Sequence, residues 1–204
     1  MHLTNKFFST SIVVLLLTAL SSCATIAPPA PKTSAMSWST RKAQLAQILN
    51  WQINGKIAVT TSQDSGSANI DWSQRAQNYT ISLYGPLGAN NVTLNGSANK
   101  VTMQTSNGQT VSAGSAEQLL AQQWGWKLPV SYLKYWIRGL PVPNMPQQSR
   151  YDDAQRIATL NQGGFTVQYS DYTSKGSVDL PSRMTIQSAA LKSKIVIYKW
   201  NISD

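Results

Sequence analysis

Trp51-Gln52-Ile53-Asn54-Gly55-Lys56-Ile57-Ala58-Val59 sets Trp51, Ile53, Ile57 and Val59 on one parity and Gln52, Asn54 and Lys56 on the other. A period of two is the mark of a strand with one buried and one wet face. A wet face argues for an antiparallel sheet, because parallel sheets are covered on both sides. The same alternation spreads outward from this stretch. Asp64-Ser65-Gly66 is expected to turn the chain, after which Ala68, Ile70 and Trp72 alternate with Asn69 and Asp71. Tyr79, Ile81 and Leu83 follow, then Val92 and Leu94 before Asn95-Gly96, then Val101 and Met103 before the hairpin signal Asn107-Gly108. Late in the chain come residues 157–160, then Phe165, Val167 and Tyr169 across the turn Asn161-Gln162-Gly163-Gly164, then Met184 and Ile186. In the last run, Ile195 and Ile197 are expected on one face and Val196, Tyr198 and Trp200 on the other. The count is about eight to eleven strands.

Three segments read as helix. Residues 39–50 carry a stripe of Leu45, Ile48 and Leu49, with Arg41, Lys42, Gln44 and Gln47 around the rest. Ser115 can cap a second helix through Gln118, with Leu119, Leu120 and Trp124 on its apolar side. Pro129 and Ser131 introduce a third, where Tyr132, Leu133, Trp136 and Ile137 share a face and Gly139 can stop it. Leu140-Pro141-Val142-Pro143 leaves in extended form. The fold class is therefore mainly β with helices: one curved sheet whose concave side the two central helices must cover.

The N-terminus is organised for export. Lys6 supplies positive charge, residues 12–17 are apolar, and Leu20-Ser21-Ser22-Cys23 follows. The apolar run is too short for a settled bilayer span. The four-residue run resembles the bacterial lipoprotein box. That resemblance implies a signal peptide over 1–22 and, on Cys23, an S-diacylglycerol group plus an N-acyl chain such as palmitate. Ala24 rather than Asp is compatible with sorting to the outer membrane. Residues 23–38, with Pro28, Pro29 and Pro31, read as a lipid-anchored tether, and 39–204 as a single domain.

Composition narrows the chemistry. Lys and Arg number 17 against 8 Asp and Glu, but the longest basic run is Arg41-Lys42, so a nucleic-acid groove is not supported. The sole histidine, His2, lies in the leader, and Cys23 is the sole cysteine. A Cys/His zinc site and a His-based triad are thus excluded from the mature chain. No Gly-x-Ser-x-Gly elbow, phosphate loop or dinucleotide fingerprint is present. Asp152 and Asp153 are neighbours and would point apart on a strand. The expectation is a protein that is not an enzyme and carries no metal or cofactor beyond its lipid.

Two features remain. Seven Trp and eight Tyr suit either the wall of a cavity or an ordinary helix-on-sheet core. In Tyr84-Gly85-Pro86-Leu87-Gly88, turn residues flank one leucine, which places Leu87 at a loop tip.

Taken in order, several landmarks resemble the LolB family of outer-membrane lipoprotein receptors. They are the Cys23 box, residues 52–58, Ile70-Asp71-Trp72, the loop 84–88, residues 133–141 and the closing strand to Trp200. Trp136-Ile137-Arg138-Gly139-Leu140-Pro141 is the most specific. The resemblance implies an unclosed antiparallel β-barrel over a hydrophobic cavity with a helical lid. It implies a monomer at the periplasmic side of the outer membrane that takes lipoproteins from a LolA-like periplasmic carrier and delivers them to outer-membrane lipid. Acyl chains of the cargo would occupy the cavity, here assigned to Ile53, Ile70, Trp72, Ile81, Leu83, Leu133, Trp136, Ile137 and Ile186. Pro86, Leu87 and Gly88 match the family's membrane-insertion loop, although Tyr84 and Asn90 vary from its pattern. Lys127, Lys134 and Arg138 are candidates for steering an acidic carrier. The rival reading is an envelope lipoprotein that acts as a protein-binding scaffold without an internal cavity.

Overall fold

The computed structural model describes residues 36–85, 91–97 and 100–203. The expectations attached to the leader, to Cys23 and to Pro86, Leu87 and Gly88 lie outside the described residues.

Helix α1 (Trp38–Gln47) precedes strands β1 (Asn50–Thr61), β2 (Ser65–Arg75), β3 (Asn78–Tyr84), β4 (Val92–Gly96), β5 (Val101–Thr105) and β6 (Thr110–Ala113). Helices α2 (Ala116–Trp124) and α3 (Val130–Trp136) follow. Strands β7 (Gln147–Tyr151), β8 (Ile157–Gln162), β9 (Phe165–Lys175), β10 (Val178–Gln187) and β11 (Leu191–Ser203) complete the chain. The strands form one sheet in the order β6-β5-β4-β3-β2-β1-β11-β10-β9-β8-β7, with antiparallel pairing throughout. Among the described strands only β1 and β11 pair across a long stretch of sequence. The two edges are β6 and β7, and α2 and α3 are the chain that joins them. The result is an unclosed antiparallel barrel with helices over its open side.

Alternation drives this arrangement. Trp51, Ile53, Ile57 and Val59 are buried in β1 while Gln52, Asn54 and Lys56 are exposed. Register then carries the buried parity across the sheet: Ile53 lies opposite Trp72, Trp72 opposite Ile81, Ile81 opposite Leu94, and Leu94 opposite Met103. Each of these five side chains is at most 5 % exposed. At about 25 cal/mol per Å² of apolar area, such a continuous row is the main source of stability.

The structure departs from the sequence-based expectation at several points. Trp200 faces inward with Ile195 and Ile197, not outward with Tyr198. The cause is a bulge in β11, where Asn54 lies opposite Lys199 and Gly55 opposite Ile197, leaving Tyr198 as the extra residue. Gly55 permits it, because a Cβ there would run into the Val196 carbonyl oxygen. Gly66 belongs to β2, not to the preceding turn. Strand β7, rich in Gln and Arg, has no apolar parity and escaped the periodicity reading. Helix α1 ends at Gln47, so Leu49 leaves the stripe and is 54 % exposed. Arg41 is buried instead, pairing with Asp179 at 3.2 Å and donating to the Ala154 carbonyl.

Candidate functional site

The helical cover is capped as its sequence requires. Ser115 accepts the Gln118 amide at 3.2 Å. At the other end of α2, Gly125 takes the left-handed conformation (φ +68°), with its N–H on the Ala121 carbonyl and that of Trp126 on Leu120. Helix α3 has no side-chain cap of its own; Glu117 of α2 accepts the Ser131 amide at 2.6 Å. That charge-assisted bond ties the two helices together.

Anchoring of the cover is uneven. The end of α3 is fixed firmly: the Trp136 indole N–H donates to Gln162 Oε1 at 3.1 Å, and Tyr169 donates to the Trp136 carbonyl at 2.8 Å. Arg138 was expected as a solvated steering charge. It is buried, donating to the carbonyls of Leu45 and Ile48, and burial draws its pKa down against a smaller upward effect of Tyr135. Lys127 is exposed and Lys134 half-buried. Helix α2 rests chiefly on apolar contact through Leu119 and Leu120. Near its start, Tyr79 is pushed up to about 12 by burial and, to a lesser degree, by Glu117.

Between cover and sheet lies an apolar hollow of about 20 Å³. Its floor is Ile57, Ile70, Trp72 and Ile195, with Ile81, Leu83 and Leu94 beside them. Leu120, Val130 and Leu133 of the helices, with Trp126 and Leu128 of the link between them, complete the lining. Five of the nine expected cavity residues, Ile70, Trp72, Ile81, Leu83 and Leu133, therefore line the hollow. The other four, Ile53, Trp136, Ile137 and Ile186, are buried but do not line it. They pack in solid core nearby, where Trp136 meets Phe165 at 5.5 Å and Tyr132 at 5.4 Å. Most of the rings serve that ordinary packing: Trp51 lies 5.2 Å from Trp72 and 5.5 Å from Trp200. Ile57, Leu94 and Ile195 were findable, since they share the inward parity of the named strand residues. Trp126 was not, because no periodicity governs the link between the helices.

A second space adjoins the first. An open cleft of about 310 Å³ is bounded by Gly66, Ala68, Leu83, Gly85, Trp124 and Trp126, with Asp64 and Ser67 at its polar rim. Leu83 and Trp126 belong to both walls. Gly85 is the last described residue before positions 86–90. The hollow is thus filled down to about the room of one small group, yet it shares Leu83 and Trp126 with an outside opening. Among the described residues no group of three His, Cys, Asp or Glu side chains could hold a metal ion, and no helix is long and apolar enough to cross a membrane. The lining of the hollow is apolar and suits an apolar guest.

Comparison with known proteins bears on this geometry. A family model described as outer membrane lipoprotein LolB matches residues 49–200. An outer-membrane lipoprotein LolB of Pseudomonas putida is 40 % identical over 163 residues, covering 80 % of each chain. A Francisella tularensis protein of the same name is 34 % identical over 200 residues, covering 98 % of this chain and 97 % of its own. Among solved structures, a LolA superfamily protein from Nitrosomonas europaea superposes with a TM-score of 0.52 at 9 % identity, over 83 % of this chain and 95 % of the other. That likeness concerns the fold alone.

Proposed function

The chain belongs to the LolB family of outer-membrane lipoproteins, and from that premise we propose that it takes lipoproteins from a LolA-like periplasmic carrier and hands them to the outer membrane by moving acyl chains. Family membership makes it a lipoprotein-sorting protein on the periplasmic face of that membrane, and not an enzyme. Residues 1–22 are a leader, and Cys23 carries an S-diacylglycerol group and an N-acyl chain that hold the protein through the tether 23–38. Two or more buried chains make such an anchor effectively stable, at roughly 0.8 kcal/mol per CH₂.

The observation that carries the transfer reading is the narrow apolar hollow under a two-helix cover beside an open cleft. A guest chain leaving a carrier must keep its methylenes out of water, at roughly 0.8 kcal/mol each. A space of about 20 Å³ cannot do that, so α2 must give way while the pinned end of α3 holds the cover in place. The apparent affinity is then reduced by the fraction of molecules that stand open. That reduction suits a receptor that must release its cargo to lipid. Leu87, in the loop that resembles the family's insertion loop, meets the membrane during release. No nucleotide is needed if affinity rises from carrier to receptor to bilayer.

The test mixes a carrier–lipoprotein complex with this chain carrying Cys23→Ser, then separates the partners. Cargo found with this chain supports the proposal; cargo that stays wholly on the carrier rejects it.

A further inference from the structure

Three of the four buried tryptophans among the described residues are held through the indole N–H. Trp72, Trp136 and Trp200 are each pinned through the indole N–H, to Gln74 Oε1 at 3.0 Å, Gln162 Oε1 at 3.1 Å and the Pro181 carbonyl at 2.9 Å. All three are at most 3 % exposed. Trp126 is half-buried, and its indole N–H has no hydrogen-bond partner among the described residues. It is also the ring shared by the hollow and the cleft.

We propose that Trp126 is the gate through which an acyl chain passes between the outer cleft and the hollow, and that Gly66 is the ledge on which it closes. The inference rests on the acyl-transfer reading and names the route within it. On the sheet side the indole lies over Gly66: a Cβ built there would meet Trp126 Cζ2 at 3.3 Å and Cη2 at 3.9 Å. At that point the ring therefore rests on bare backbone. On the other side it leans on Trp124 at 5.3 Å, tilted by 48°. Its own backbone is held by the C-terminal turn of α2, Trp126 N to the Leu120 carbonyl at 3.3 Å, directly after left-handed Gly125. The gate itself can thus turn by rotating one side chain, breaking neither helix nor sheet hydrogen bonds, while α2 gives way to make room behind it. Ala68, next along the same face of β2, keeps the cleft side open for the incoming chain. Leu83 forms the fixed jamb opposite, buried on its strand and common to both spaces.

A gate alters rates of entry and exit alike and leaves equilibrium affinity nearly unchanged, whereas a wall residue alters affinity. The experiment is stopped-flow binding of a dansyl-labelled fatty acid to the full chain carrying Cys23→Ser, and to the same chain with Trp126→Ala, Trp126→Phe or Gly66→Ala. Trp126→Ala is expected to raise association and dissociation rates together by about tenfold, with Kd changing less than about threefold. Trp126→Phe keeps a ring on the ledge and should fall between Trp126→Ala and the parent. Gly66→Ala lifts the indole from the opposite wall and should accelerate both steps, so it decides the matter if Trp126→Ala proves poorly folded by circular dichroism. Parent-like rates in Trp126→Ala and Gly66→Ala, with the probe still bound, overturn the gate and leave the transfer reading standing. A change in Kd carried by dissociation alone also overturns it, making Trp126 a wall. No uptake by the parent chain overturns the transfer reading itself, and the gate with it.

Discussion

Trp136 and Gln162 are joined by a buried hydrogen bond, indole N–H to Oε1 at 3.1 Å, between the last turn of α3 and the end of β8. The same oxygen accepts the Val142 amide at 2.8 Å, while the Gln162 amide group donates to the carbonyls of Val142 and Met145. One side chain thus locks the cover, the extended exit from it and the sheet. Gln162→Leu leaves those partners without a bond in a dry setting. Destabilisation by about 3 kcal/mol is expected, read from the midpoint of urea unfolding at unchanged slope. Trp136→Asp, at a site with no exposure and no contact with the hollow, is expected to prevent folding rather than merely weaken acyl binding.

Gly55 allows the bulge that turns Trp200 inward. Gly55→Val must push the Val196 backbone away, which opens the central β1–β11 pairing. A loss of about 3 kcal/mol is expected from overpacking alone, read as a fall in Tm. Tyr198→Ala, at the exposed crest of the same bulge, should change Tm little.

Alkaline stability depends on three phenols. Burial raises Tyr169 well above its ordinary value, and raises Tyr172 and, to about 12, Tyr79. Tyr169 and Tyr172 donate to the carbonyls of Trp136 and Ile157, bonds a phenolate cannot make. Folding raises these pKa values above the unfolded value of about 10, so the stabilisation is complete below that pH and is lost as pH rises toward the folded values. Chemical denaturation between about pH 9 and 12 should show falling stability, and Tyr79→Phe should flatten the decline.

Leu87→Glu is expected to leave folding and cargo acceptance close to the parent while slowing delivery to phosphatidylethanolamine–phosphatidylglycerol liposomes. The measurement is cargo recovered with liposomes over time. Equal recovery for variant and parent removes Leu87 from the release step.

Much of this was legible in the sequence. Alternation in β1, β2, β3 and β11 located the sheet, and the caps at Ser115 and Gly139 located the cover. Strand parity for Ile70, Trp72, Ile81 and Leu83, and helical spacing for Leu133, brought these five to one hollow. What escaped depended on partners far along the chain. A two-residue period cannot announce a bulge, so Trp200 was turned the wrong way. Arg41 and Arg138 look like solvated charges until Asp179 and the carbonyls of Leu45 and Ile48 arrive from other elements. Ile53, Trp136, Ile137 and Ile186 face inward as their spacing requires, but inward means packed core there and open space only a few residues away.

The most direct test of the central claim uses a lipoprotein whose acyl chain bears a diazirine, transferred from its carrier to this chain and then irradiated. Adducts on Ile70, Trp72 or Leu133, located by mass spectrometry of the peptides, are the predicted result. Adducts confined to outward residues such as Lys56 or Tyr198, with none on the lining of the hollow, contradict it.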